Sequence, residues 1–235
     1  MLFASYVIYN YGNDYLVILC GSSLIHIIIE TGLFFTGIRK SVVYLYGYKL
    51  PRVGDILLRA LVEGPAFCVP AFFVADRLLE GESKIEIGCT LLLIACTSTY
   101  MGWADRKDLA SLKKGEEALY SRRAMTKPKA VILLALVNTI CISALFLIPS
   151  PYRIHAFTYI GAYSIFVMTF YLINYKFGVR FIEIYDAKKN EFKKPGPLMQ
   201  ASGLTYDSAY EMALLISPAY TIAFYIGLFE YSTII

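Results

Sequence analysis

A histidine and a glutamate interrupt the apolar run SLIHIIIETG, which covers Ser23 to Gly32. His26 and Glu30 are four residues apart, so a helix places both side chains on one face. An ionisable side chain at the centre of a membrane helix costs at least ~2.5–3.5 kcal/mol. The pair therefore predicts an enclosed polar site that moves a proton.

Two further pairs of ionisable residues have the same spacing: Arg59 with Glu63, and Asp207 with Glu211. Each also has a structural explanation. Arg59 and Glu63 would neutralise each other on one helix, and Asp207 with Glu211 would form the cap and the acidic first turn of another. Both explanations stay open at the level of sequence.

Paired carboxyl groups beside a histidine are suited to acid–base catalysis. A carboxyl group in an apolar pocket favours its protonated form and can act as a general acid, while the imidazole takes the proton back. We predict that His26 and Glu30 supply the proton and that Glu63 performs the reverse step. Aromatic rings would stabilise a cation formed between them. The predicted substrate-binding residues are Arg59, Tyr100, Trp103, Asn138, Tyr171, Asp207 and Glu211.

Composition indicates an integral membrane protein. Of the 235 residues, 57% are hydrophobic and only 17% are charged, below the quarter that is usual in soluble domains. No basic run interleaved with aromatic residues predicts a nucleic-acid partner. The five cysteines lie in apolar segments without metal-ligand spacing, so we expect reduced packing residues, no metal and no cofactor. The N-terminus lacks the features of a removable signal peptide.

The elements that must position these residues are apolar segments of about 20 residues, the length of a membrane-spanning helix. Six are predicted, in an all-α polytopic bundle that forms one domain over residues 1–235. They cover Tyr15–Ile38, Asp55–Ala75, Ile85–Trp103, Ala130–Ile148, His155–Asn174 and Tyr206–Phe229. The first ten residues are apolar but too short to cross.

Basic residues alternate along the connecting loops. The successive loops contain four, two, eight, one and six Lys or Arg residues, and the terminal tails contain none. Because Lys and Arg accumulate on the cytoplasmic side, this alternation predicts six crossings with both termini on the non-cytoplasmic side.

Two cytoplasmic segments have helical patterns of their own. Residues 104–128 predict an interfacial helix that breaks near Gly115. Residues 175–205 predict that the fifth helix continues beyond the membrane, because Phe177, Phe181 and Ile184 share a face, before a loop with KKPGPL ends it.

Polar groups of different helices are predicted to lie at similar depths in the membrane. At 1.5 Å per residue, Glu30 and Glu63 both lie roughly 12 Å inside the cytoplasmic boundary. Polar residues of the third and fourth helices, including Tyr100 and Asn138, fall in the same half. The outer halves look apolar, and we expect His155, at the start of the fifth helix, to be interfacial.

The segment LIHIIIETG resembles the His-x-x-x-Glu segment of emopamil-binding proteins, the sterol isomerases. That resemblance implies a further glutamate on the next helix, for which LVEGPAF with Glu63 is a loose match. The chain is also similar in style to the integral-membrane terpene cyclases of meroterpenoid pathways. For the early glutamate and late acid of those enzymes, Glu63 and either Asp207 or Glu211 are the candidates.

The leading hypothesis is a membrane-embedded isomerase or cyclase that converts an isoprenoid or sterol-like lipid through a carbocation. The expected partners are this substrate and membrane lipids, and a homo-oligomer or larger membrane complex stays open. The expected location is the endoplasmic reticulum in a eukaryote or the plasma membrane in a prokaryote. The alternatives are a small-molecule or proton-coupled transporter and a non-catalytic subunit of a membrane complex.

Overall fold

Helices dominate the fold of the protein. A computed structural model describes residues 2–35, 44–45, 48–81, 84–111, 122–125, 128–178, 181–186, 191–193, 195–206 and 211–230. The helices are α1 (Leu2–Tyr11), α2 (Asp14–Phe35), α3 (Arg52–Glu80), α4 (Lys84–Ser111), α5 (Pro128–Ser143), α6 (Tyr152–Lys176), α7 (Pro197–Thr205) and α8 (Glu211–Tyr225). A 3-10 helix, Ala144–Leu147, extends α5.

Four helices of the described chain are long and apolar enough to cross a membrane. They are α2 over Asp14–Gly32, α3 over Arg52–Glu80, α4 over Lys84–Ala104 and α6 over Tyr152–Lys176. The predicted fourth span corresponds to a shorter apolar helix, Ala135–Leu147, and the predicted sixth, Tyr206–Phe229, contains the 15-residue helix α8. The structure thus supports four of the six predicted spans by length and composition.

Within the described parts of the connections between helices lie five short strands. β1 (Tyr44–Leu45) pairs antiparallel with β2 (Tyr48–Lys49) after α2. β3 (Arg122–Met125) pairs in parallel with β4 (Phe181–Asp186), which pairs antiparallel with β5 (Glu191–Lys193). The β3–β4 pairing places the connections after α4 and after α6 at the same end of the bundle.

The segment after α6 differs from the predicted helical extension. The helix ends at Lys176, and Gly178 adopts a φ of +72°, which glycine tolerates best. The following FIEIYD forms strand β4, because aromatic and β-branched residues favour an extended chain. In the segment 104–128, α4 continues to Ser111 and β3 begins at Arg122, while Gly115 lies outside the described residues.

The core is rich in aromatic residues from α2, α3, α6 and α8. Phe72 of α3 lies at its centre: its ring is 4.7 Å from the imidazole of His155, 5.4 Å from Tyr159 and 5.7 Å from Phe229. The contacts with His155 and Tyr159 are edge-on and the contact with Phe229 is stacked, and both geometries stabilise a core beyond the area they bury. They fix the rotation of α3 and α6 about their axes, and so decide which polar side chains of these helices meet.

Candidate functional site

His26 and Glu30 lie on α2, as their spacing predicts, but the imidazole makes a local hydrogen bond. His26 Nδ1 lies 2.9 Å from the carbonyl oxygen of Ser22, one turn earlier on the same helix, and donates to it. The ring rests on α3 at Gly64, where a Cβ atom would come within 2.6 Å of Nδ1. Glu30 is buried, with 3% of its surface exposed.

Arg59 forms an ion pair with a residue that the sequence pattern did not select. Its Nε donates to Asp55 Oδ1 over 2.6 Å, one turn earlier on α3. Asp55 is buried, so the pair is a structural feature at the start of this helix. The side chain of Glu63 lies outside the described residues.

The other predicted site residues whose side chains the structure describes do not line a common cavity with His26. Tyr100 and Trp103 are 66% and 51% exposed on α4, where the Nζ of Lys107 lies 5.5 Å from the centre of the indole ring. Tyr171 is buried against Phe170. Asn138 is fully buried, and among the described residues its amide nitrogen and oxygen find no hydrogen-bond partner. Asp207 and the side chain of Glu211 lie outside the described residues.

A buried polar network joins four helices elsewhere in the bundle. His155 of α6 places Nε2 2.7 Å from Asp76 Oδ1 of α3, and Nδ1 2.7 Å from the hydroxyl of Tyr220 of α8. The hydroxyl of Tyr15, on α2, donates to the other oxygen of Asp76. All four residues are buried, and His155 is completely inaccessible. Together they form the Tyr15–Asp76–His155–Tyr220 network.

The donors and acceptors of the network follow from the carboxylate of Asp76. An ionised carboxylate only accepts, so it receives the O–H of Tyr15 and the Nε2–H of His155. In neutral His155 the remaining nitrogen, Nδ1, is then an acceptor for the O–H of Tyr220. In this arrangement both oxygens of Asp76 accept a hydrogen bond, and the histidine can take a proton from Tyr220 or return one to it.

Sequence reasoning missed this network because its members are far apart in the chain: 61 residues separate Tyr15 from Asp76 and 79 separate Asp76 from His155. The prediction that His155 is interfacial concerns its depth in a membrane and stays a prediction; the residue itself is fully buried between helices. The sequence did contain one indication that Asp76 and His155 lie close together. The predicted topology puts the end of the second helix and the start of the fifth on the same side of the membrane. The end of the bundle that contains the network is therefore not apolar throughout.

A cavity of about 630 Å³ lies between α2, α3, α6 and α8. This volume is within the usual range for small-molecule sites. Tyr220 and His26 both line it, so one of its walls includes the end of the network. On α2 the lining extends from Leu16 to His26, roughly 15 Å at 1.5 Å per residue. Its remaining lining is mainly aliphatic.

The rim of the cavity consists of exposed apolar side chains. Leu24 of α2 is 59% exposed, and Ile222 and Ile226, at the end of α8, are 60% and 63% exposed. An apolar molecule that approaches the side of the bundle would therefore meet an apolar entrance between these two helices.

A second polar cluster fixes α1 to the end of α3 outside the cavity. Arg77 pairs with Glu80 over 2.6 Å, and its guanidinium lies 4.6 Å from the centre of the Tyr11 ring. The hydroxyl of Tyr11 donates to Glu86 over 3.0 Å. Burial, with Tyr6 and Glu86 nearby, raises the pKa of Tyr11 to about 12. This cluster stabilises the packing of helix ends.

Metal-binding groups of three or more His, Cys, Asp or Glu residues are not found within the described part of the chain. All five cysteines, each of which is described, carry free thiols. The chain matches no protein-family model, no curated protein and no solved structure. The geometry of the site therefore provides the functional argument.

Proposed function

We propose that the protein is an integral membrane enzyme that moves protons on a hydrophobic lipid, as an isomerase or cyclase of an isoprenoid or sterol-like substrate. One observation carries the proposal: Tyr220 lines an apolar cavity, and its hydroxyl lies 2.7 Å from Nδ1 of the buried His155, which is paired with Asp76. Such a hydroxyl can exchange protons with a bound substrate without access to bulk water.

The location in a membrane is supported by the exposed surface of the bundle. Large apolar side chains are exposed on the long helices, for example Ile85 and Leu92 of α4 and Ile165 of α6. A soluble protein rarely exposes apolar patches of this extent. We propose that these surfaces face acyl chains, and that α5 and α8 complete six crossings.

The proposed orientation puts the network near the non-cytoplasmic side. Helix ends near the network are joined by a hydrogen bond from the backbone N–H of Glu230 to Asp14, 2.7 Å long. The basic connections lie at the opposite end, where β3 pairs with β4. The accumulation of Lys and Arg at that end supports a cytoplasmic assignment for it.

Tyr220 acts as the proposed acid or base, and His155 supplies or accepts the proton behind it. Asp76 stabilises the imidazolium ion that forms when His155 takes the proton, the role that a buried carboxylate has beside a catalytic histidine elsewhere. The proposal thus moves the proton transfer from the predicted His26–Glu30 pair to Tyr220. His26 remains as a cavity-lining residue at the far end of the same wall.

The test is deuterium transfer from solvent to lipid. Purified protein in liposomes of total lipid from its native membrane is incubated in D₂O, and the neutral lipids are examined by mass spectrometry. We expect the wild type to label at least one lipid, and Tyr220→Phe to lower the labelling rate by about 10²–10⁴-fold, the usual contribution of a general acid or base.

Two control variants separate chemistry from packing. Tyr15→Phe removes the far hydroxyl of the network and should lower the rate less than Tyr220→Phe does. Tyr152→Phe removes a tyrosine hydroxyl of α6 that does not line the cavity, and should label like the wild type. Equal labelling by the wild type and Tyr220→Phe would exclude Tyr220 as the proton-transfer group. Lipid binding without any labelling would exclude the enzyme and favour a lipid carrier.

A further inference from the structure

The tautomer of His26 is fixed by its hydrogen bond to the backbone of α2. Its Nδ1 lies 2.9 Å from the carbonyl oxygen of Ser22. A carbonyl oxygen only accepts, so Nδ1 carries the hydrogen atom. In a neutral imidazole one nitrogen donates and the other accepts. Nε2 of neutral His26 is therefore a hydrogen-bond acceptor with a lone pair and no hydrogen.

The orientation of the ring leaves this acceptor on the side away from α3. The ring atoms nearest to the Cβ position of Gly64 are Nδ1, Cγ and Cε1, at 2.6, 2.9 and 3.1 Å, so Nε2 lies farther from this helix. Among the described residues Nε2 has no hydrogen-bond partner. It is nevertheless not one of the buried polar atoms that lack a partner there, so part of its surface is accessible. His26 lines the cavity, which gives a ligand a route to this nitrogen.

We propose that Nε2 of His26 accepts a hydrogen bond from a hydroxyl group of the lipid substrate. This inference rests on the proposed function in one respect, because it takes the cavity as the substrate site. It deepens that function by naming the chemical class of the substrate, a long and uncharged lipid alcohol. His26 then binds and orients the substrate, while the proton transfer belongs to Tyr220.

The charge of the cavity wall favours an uncharged ligand. The described lining contains no lysine, arginine, aspartate or glutamate. A phosphate or carboxylate bound beside neutral His26 would be buried without a cation, and an ammonium group would be buried without a carboxylate. Burial of an unpaired charge is costly. The lining therefore selects an uncharged polar group over an ionic head group.

A hydroxyl group is an uncharged group that matches the acceptor. Because Nε2 of neutral His26 only accepts, its partner has to donate. A hydroxyl group has a hydrogen atom to donate, whereas a ketone or ether oxygen has none. Burial of a hydroxyl group without a partner is unfavourable, and the bond to Nε2 offsets its loss of water. The site therefore distinguishes an alcohol from the corresponding ketone.

The positions of His26 and Tyr220 set the orientation of the ligand. Along α2, His26 lies roughly 16 Å from Tyr15, which belongs to the buried network together with Tyr220. The two functional groups therefore lie toward opposite ends of the cavity, and the lining between them is mainly aliphatic. A lipid with its hydroxyl group at His26 extends its apolar skeleton along this wall toward Tyr220.

The test compares ligands that differ only in the oxygen function. One series has rigid rings (cholestane, cholestanol, cholestanone), and the other is linear (hexadecane, hexadecanol, hexadecan-2-one). In each series the alcohol donates and accepts, the ketone only accepts and the hydrocarbon does neither. Purified protein in detergent micelles at about pH 8, where histidine is ordinarily neutral, is incubated with increasing amounts of one ligand. It is then separated from empty micelles, and mass spectrometry of the retained ligand gives the affinity.

The decisive variant is His26→Leu. We expect at least one series in which this change weakens binding of the alcohol about tenfold, as the loss of the only partner of a buried hydroxyl group predicts. The affinities of the ketone and the hydrocarbon should change by less than about twofold, since neither donates to Nε2. Retained hydrocarbon binding also shows that the variant keeps its fold.

Two further variants are matched controls. His26→Asn keeps a side-chain N–H that can reach the carbonyl of Ser22 but removes the Nε2 acceptor, so it should lose alcohol binding as His26→Leu does. Ile222→Val shortens an apolar side chain of the lining and should change all three affinities by a similar factor. Unchanged alcohol affinity in His26→Leu, or an equal loss for alcohol and ketone, would overturn the inference. Failure of both series to bind the wild type would overturn it as well.

The outcomes are distinguishable from those of the deuterium experiment. A selective loss of alcohol binding in His26→Leu, without labelling of any lipid by the wild type, would support the hydroxyl site and reject the enzyme. Labelling that depends on Tyr220, with alcohol affinity unchanged in His26→Leu, would support the enzyme and reject the hydroxyl site.

Discussion

The two histidines of the chain differ in where their hydrogen-bond partners lie. His26 lies in the middle of a long apolar helix and hydrogen-bonds to a carbonyl of that same helix. His155 lies one turn from the start of α6 and bonds to two other helices, through Asp76 and Tyr220. The comparison teaches that helical spacing identifies neighbours on one helix but not the partners that make a buried network.

The largest expected effect is a difference between the two histidines in how much each contributes to the free energy of unfolding. Replacing His155 with leucine leaves the carboxylate of Asp76 buried without its imidazole partner, which should lower the free energy of unfolding by about 3–5 kcal/mol. His26→Leu loses one hydrogen bond within a helix and should cost less than about 1 kcal/mol. Unfolding by increasing SDS fraction in mixed micelles measures both. Similar losses for the two variants would contradict the comparison.

A second prediction concerns the contact between His26 and α3. Gly64→Ala puts a Cβ 2.6 Å from His26 Nδ1, so the ring of His26 must shift. We expect a loss of about 1–3 kcal/mol in the free energy of unfolding, as for other overpacked sites.

Gly88→Ala is the matched control for this prediction, because a Cβ there meets no atom within 4 Å. It should be neutral or stabilise by up to about 1 kcal/mol through its higher helix propensity. Adding His26→Ala to Gly64→Ala should restore most of the lost stability. Absence of any rescue would show that the ring of His26 is not the group that Gly64 accommodates.

The smallest expected effect is a difference between His26 and His155 in their accessibility to a chemical reagent. His26 lines the cavity, whereas His155 is fully buried with both nitrogens in hydrogen bonds, so its modification requires local opening of the bundle. Diethyl pyrocarbonate should modify His26 at least about tenfold faster than His155. Peptide mass spectrometry distinguishes the two sites, and equal rates would contradict the burial of the network.

Much of the helical fold was accessible from sequence because hydropathy acts locally. The predicted second and fifth segments, Asp55–Ala75 and His155–Asn174, fall within α3 and α6. The extension after α6 was mispredicted because an apolar spacing that suits a helix also suits a strand when the residues are aromatic or β-branched, as in FIEIYD.

The candidate site, like the fold, was accessible from sequence only in part. Sequence identified His26 as a residue of interest, and it lines the cavity. Asp76 escaped notice because it lies near the end of a span, where a charge is unremarkable. Tyr159, Tyr163 and Tyr220 were not singled out, because tyrosine is abundant along the whole chain. Spacing within one helix does not show which rings face a shared cavity.

Sequence by itself determined that the chain forms long apolar helices with basic connections, because length, hydropathy and charge are properties of each segment alone. Tertiary structure alone decided that Asp76, His155 and Tyr220 meet beside a cavity. That meeting depends on the rotation and relative depth of three helices, which aromatic packing around Phe72 fixes and no single segment encodes.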